Sequence, residues 1–186
     1  MTRSLGEALS LLADKGDINL ENSISRGIEK ESLRVSKNNT ISSADHPSSL
    51  GSALTNKYIT TDFSEALLEL ITPTHSSVDD VLKNLDEICK FVVEETPETI
   101  WPSSIPCKIE NEDFIRLADY GTSNSGLLKT LYRSGLSYRY GSMMQTVSGI
   151  HYNFSFSDAF FESLRGKEDL QTFKNKSYLS LIRNFR

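Results

Sequence analysis

Hydrophobic and polar positions alternate along this chain with two distinct periods. Leu5, Ala8, Leu9 and Leu12 recur at helical spacing and predict a first helix over 3–14, ended by Lys15, Gly16 and Asp17. Residues 27–35 read as a strand, and the polar stretch 36–49 reads as a loop. A second strand is predicted over 67–72 and is stopped by Pro73. The clearest helix is predicted over 78–95, where Val78, Val81, Leu82, Leu85, Ile88, Cys89 and Val92 share one face. Ser77 and Asp80 resemble a capping box at its start, and Asp79 and Asp80 suit the helix dipole.

Pro97, Pro102 and Pro106 predict a loop, 112–119 a short helix, 121–126 another loop, and 127–144 a helix interrupted at Gly135. Residues 145–156 then alternate strictly and predict a strand. Thr146, Ser148, Ile150, Tyr152, Phe154 and Phe156 form a face that turns apolar and is expected against a core. Gln145, His151 and Asn153 stand on the other face, a set better suited to a ligand than to water. The final stretch, 177–186, is helical in pattern and stops without a capping residue, so the natural protein is expected to continue.

Composition narrows the class. The chain has 186 residues, 38% hydrophobic and 24% charged, which is the balance of a globular protein with a real core. A net charge of −5 without basic runs argues against a nucleic-acid or membrane surface. No apolar stretch is long enough to span a bilayer, and Glu7 and Asp14 interrupt any signal-like segment. A cytoplasmic location with reduced thiols follows, with Cys89 expected in the core and Cys107 more exposed.

The candidate chemistry is acidic. Glu29 and Glu31 lie two apart on a strand, so both leave one face. Two carboxylates 4 Å apart repel by roughly 4 kcal/mol at an effective dielectric of about 20. Solvent, a basic residue or a divalent cation must offset this, and Mg²⁺ prefers such oxygens. Glu69 sits in the apolar run Leu67–Ile71 and needs a metal or a basic partner. Asp62 is either a turn cap or a further ligand, and Glu65 reads as solvated. His151 is either a hydrogen-bonded structural residue or a ligand. Arg133, next to Tyr132, either makes a surface ion pair or grips a phosphate or carboxylate. The Gly121–Gly126 stretch does not match a P-loop, because Lys129 and Thr130 come two residues late.

Several strings together resemble one family. They run from Gly27 to Val35, Leu50 to Pro73, Ala118 to Gly126, Thr130 to Arg133 and Arg139 to Ser155. The chain is similar in these to the N-terminal part of the bacterial type of glutamate–cysteine ligase. The resemblance implies an α+β fold related to glutamine synthetase, with a largely antiparallel curved sheet and outer helices, here incomplete. It implies Glu29, Glu31, Asp62, Glu69 and His151 as ligands of Mg²⁺, with Mn²⁺ as the alternative ion. Tyr132 would belong to a cysteine pocket, Arg133 would contact phosphate or a substrate carboxylate, and Gln145 and Asn153 would face glutamate. ATP, L-glutamate and L-cysteine are the implied substrates. Family members run to more than twice this length, so the chain reads as a fragment, a truncated gene product or half of a split enzyme whose missing C-terminal half would act in trans. Two other readings stay open: a non-catalytic remnant that binds a partner chain, and a metal-dependent hydrolase on the same carboxylates.

Overall fold

The fold is that of a computed structural model, which describes residues 22–185 together with Gly6 and Ser10. Gly6 and Ser10 are helical, and the rest of the predicted helix 3–14 lies outside the described residues. The chain divides into two compact units, one of residues 27–74 and 79–153, the other of 1–26, 75–78 and 154–186.

The larger unit is built on an antiparallel sheet. Its strands are β1 (Ile24–Val35), β2 (Ile59–Thr61), β3 (Leu67–Ile71) and β4 (Thr99–Ile100), in the order β2-β3-β1-β4. A further strand, β5 (Ile150–Phe156), pairs with β1. The register sets Glu31 opposite Glu69 and Leu33 opposite Leu67. It also sets Thr60 opposite Glu69 and Ile59 opposite Leu70. Alternation then separates two faces. Leu68, Leu70 and Ile59 form one cluster with Leu50 and Val92, covered by Ile88 and Cys89 of helix α1 (Val78–Glu95). Leu33, Val35 and Leu67 face the other way and pack with Phe63, Ile41, Cys107 and Ile115. Further along β1 and β3 the same face carries Glu29, Glu31 and Glu69, so one side of the sheet passes from core to carboxylates.

Helix α2 (Asn124–Tyr140) belongs to this unit. Ser123 caps its start by accepting from the Gly126 N–H, and Gly141 ends it at φ 78°. In the smaller unit, helices α3 (Asp158–Leu164) and α4 (Leu170–Asn184) gather Phe156, Phe160, Phe161, Phe173 and Tyr178 into an aromatic cluster. Ser157 and Asp169 cap the two helices. Among the described residues no helix is long and apolar enough to cross a membrane.

Several elements differ from the sequence expectation. Helix α1 has the expected bounds, but Val78 and Leu82 are exposed. The predicted helix 112–119 shrinks to a 3-10 turn at Glu112–Phe114. Residues beyond it extend instead, because Arg116 and Ala118 exchange backbone bonds with Glu65 and Phe63 in the β2–β3 loop. Helix α2 starts three residues early and runs through Gly135 without interruption. The predicted strand 145–156 begins only at Ile150, since Met143–Thr146 form a 3-10 turn in which the Thr146 hydroxyl bonds the Met143 carbonyl. Its apolar face meets packed side chains only at the end: Ile150 is 65% and Tyr152 56% exposed, while Phe156 stacks on Phe160. The cysteines are reversed, with Cys107 buried and Cys89 half-buried, and burial pushes both thiols up.

Candidate metal centre

Four carboxylates and an imidazole converge on the polar end of that sheet face. Glu29 and Glu31 come from β1 by alternation, and Glu69 faces Glu31 from β3. Asp62 follows β2, two residues beyond Thr60, and its N–H closes the hairpin on the Leu67 carbonyl at 3.0 Å. His151 comes from β5. There the Glu31 N–H donates to the Gly149 carbonyl at 3.0 Å, and the Gly149 N–H donates to Glu31 Oε2 at 2.6 Å. His151 Nδ1 lies 3.1 Å from Glu29 Oε2.

The electrostatics are those of crowded acids. Burial, then the charges of Asp62, Glu29 and Glu31, push the Glu69 carboxyl up to about 7, while His151 pulls the other way. Glu31 is also raised, first by burial and further by the Asp62 charge and a shared hydrogen bond with its carboxyl. The Gly149 N–H and His151 oppose that rise. His151 is raised above its ordinary value, first by the hydrogen bond to Glu29 and then by the charges of Glu31, Glu29 and Glu69. Glu29, Glu69 and His151 each offer a ligand atom, all within 4.8 Å of one another. Hard oxygens with one imidazole, held close against their mutual repulsion, fit a divalent cation.

Arg133, on α2, reaches this cluster. Its Nε donates to the Asp62 backbone carbonyl, its Nη2 to Asp62 Oδ1 at 3.3 Å and its Nη1 to the Lys129 carbonyl at 3.1 Å. A guanidinium carries five N–H donors, and these contacts use three, leaving two for an oxyanion. Tyr132 is exposed on the same helix. Asn153 is exposed on β5, on the His151 side by alternation. Gln145 is not on that strand: it sits half-buried in the 3-10 turn before it.

Two residues of the site carried no sequence signal of their own. Gly149 lies within the string Ser148-Gly149-Ile150-His151 and braces Glu31 through its backbone. Tyr120 lies beneath Arg133, 4.7 Å from ring centroid to guanidinium. Glu65 is corrected. It is buried, and its two oxygens accept from the His46 and Asp119 N–H groups at 2.8 Å each, so it ties loops together.

An antiparallel sheet that gathers carboxylates and a histidine at one end defines a candidate metal-dependent enzyme. Comparison with known proteins makes the class specific. The glutamate-cysteine ligase family model matches residues 9–186, and the chain belongs to this family. The chain is 47% identical to a glutamate–cysteine ligase of Pseudoalteromonas translucida over 190 residues, covering 100% of this chain and 36% of that one. With the Hahella chejuensis enzyme it shares 52% identity, over 88% of this chain and 32% of that one. The crystal structure of the Francisella tularensis glutamate–cysteine ligase in complex with AMP superposes with a TM-score of 0.76 at 43% identity. That match covers 80% of this chain and 30% of the other. The chain therefore spans about a third of the length of the curated relatives it matches.

Proposed function

We propose that this chain forms the acidic metal-binding part of an ATP-dependent ligase that joins the γ-carboxylate of L-glutamate to the amine of L-cysteine. The observation that carries the reading is the convergence of Glu29, Glu31, Asp62, Glu69 and His151 on one sheet face. Family membership supplies the reaction class. In this reaction a glutamate γ-carboxylate oxygen attacks the γ-phosphorus of ATP, and the bond to the β-phosphate oxygen breaks, releasing ADP. The cysteine nitrogen then attacks the acyl carbon of γ-glutamyl phosphate. The C–N bond forms, the C–O bond breaks, phosphate leaves, and the amine loses a proton.

Such chemistry needs positioning and charge neutralisation more than a protein nucleophile. Glu29, Glu31, Asp62, Glu69 and His151 would hold Mg²⁺ or Mn²⁺. The chemistry such an ion would supply there is neutralisation of phosphate charge. Arg133, with two N–H groups beyond its internal bonds, would contact the phosphate or a substrate carboxylate. Tyr132 would belong to the cysteine pocket, and Gln145 and Asn153 would face glutamate.

A second reading has its own support. The apolar side chains of Ile150 and Tyr152 on β5 and of Leu128 and Leu131 on α2 are exposed. A partner chain, such as the remaining portion of a family member supplied in trans, would cover them. Coupled ADP release with glutamate, cysteine, ATP and Mg²⁺ separates the readings. Release that requires both amino acids and is lost in Glu29→Gln supports a ligase within this chain. Release that requires neither amino acid contradicts the ligase and indicates a hydrolase. A folded chain without release supports the partner-dependent reading.

A further inference from the structure

Tyr120 is placed to set the geometry of the acidic cluster without belonging to it. It is 5% exposed and packs with Ala53 and Ala118. Its hydroxyl donates to the Thr61 carbonyl at 2.5 Å and lies 3.1 Å from the Asp62 carbonyl. These are the last residue of β2 and the carboxylate that follows it. Arg133 lies over the face of the same ring and bonds Asp62 twice, at its backbone oxygen and at Oδ1. Lys129, one turn earlier on α2, also lies over this ring, 4.9 Å from its centroid.

The approach of α2 to Tyr120 is equally close. A Cβ built on Gly126 would stand 2.4 Å from the Tyr120 carbonyl oxygen. One side chain thus pins the end of β2 with its hydroxyl and carries the guanidinium on its ring. The Asp62 main chain and its carboxylate both depend on it.

We infer that Tyr120 is a positioning residue of the metal centre, fixing the Asp62 carboxylate through the β2 backbone and fixing Arg133 against it. The inference rests on the reading of Asp62 as a metal ligand. Removing the hydroxyl lets the Thr61–Asp62 backbone relax, and an error of an ångström in a ligand is costly at a site that must hold several at once.

The test is Mn²⁺ binding by this chain, followed by electron paramagnetic resonance of the free ion. Tyr120→Phe keeps the ring under Arg133 and removes only the hydroxyl. It is expected to raise the Mn²⁺ Kd at least threefold. Thr130→Val is the structural control, since it deletes a neighbouring hydrogen bond to the Ala118 carbonyl and touches no carboxylate. It is expected to leave the Kd unchanged. A Tyr120→Phe chain that binds as tightly as the unsubstituted one overturns the inference, as does an equal loss in Thr130→Val. Failure of the unsubstituted chain to bind Mn²⁺ overturns the metal reading and the inference with it. If Tyr120→Phe does not fold, 3-fluorotyrosine placed at position 120 keeps the hydroxyl. Its ¹⁹F resonance is expected to shift on addition of diamagnetic Mg²⁺, and an unmoved resonance overturns the inference.

Discussion

Glu31 and Glu69 stand directly opposite one another on paired strands β1 and β3. Like charges directly opposite one another destabilise a sheet. Here burial, Asp62 and Glu29 add to the crowding. Glu69→Gln keeps the shape and removes the charge. In EDTA at pH 7.5 it is expected to raise the melting temperature, and added Mn²⁺ is expected to raise that temperature less than in the unsubstituted chain. Differential scanning fluorimetry with and without the ion reads both effects.

The same crowding makes stability depend on pH in a defined sense. A folded pKa raised above the unfolded value gives stability that is present at low pH and lost as pH rises through the folded pKa. Glu69, at about 7, and His151, raised above 6.5, both behave this way. His46 is lowered, chiefly by burial, so it acts oppositely, but its contribution to the slope fades as pH rises past about 6.5. Between pH 6.5 and about 7.5 the metal-free protein is therefore expected to lose stability as pH rises. Urea midpoints across that window check the sign, and Glu69→Gln is expected to flatten the slope.

Arg34 is fully buried and pairs with Glu98, while its Nη2 donates to the carbonyls of Ala44 and Glu65 at 2.8 Å each. Removing one partner of a buried pair leaves an uncompensated charge and costs about 3–5 kcal/mol. Glu98 keeps some exposure, so Glu98→Ala is expected to cost about 3 kcal/mol, near the lower end. Chemical denaturation measures it directly.

Two glycines of α2 give opposite expectations. Nothing lies within 4 Å of a Cβ built on Gly135, so Gly135→Ala is expected to stabilise the helix by about 0.5–1 kcal/mol. At Gly126 the added Cβ meets the backbone oxygens of Tyr120 and Gly121 at 2.4 and 2.8 Å. Gly126→Ala is therefore expected to destabilise the protein despite the better helix propensity. Melting temperatures of the two variants should move in opposite directions.

The parts of this site that were legible in the sequence are those set by local periodicity. Alternation placed Glu29 and Glu31 on one face, and the apolar run around Glu69 marked a carboxylate needing company. The bounds of α1 followed from its spacing and capping pattern. The pairing register that sets Glu69 opposite Glu31 leaves no mark on either strand alone. Residues 145–149 alternate like a strand, yet the Met143–Thr146 turn takes Gln145 out of it. Glu65 and Tyr120 were hidden for a shared reason: their partners, at His46 and Asp119 and at Thr61 and Asp62, lie 19 to 59 residues away. Local polarity carries no trace of such contacts.

The most direct measurement of the central claim is a Mn²⁺ titration of the purified chain near neutral pH, with Mg²⁺ as competitor. The account predicts saturable binding that Mg²⁺ displaces and that Glu29→Gln weakens at least tenfold. A folded chain that takes up no Mn²⁺, or one whose affinity is the same in Glu29→Gln, would contradict it.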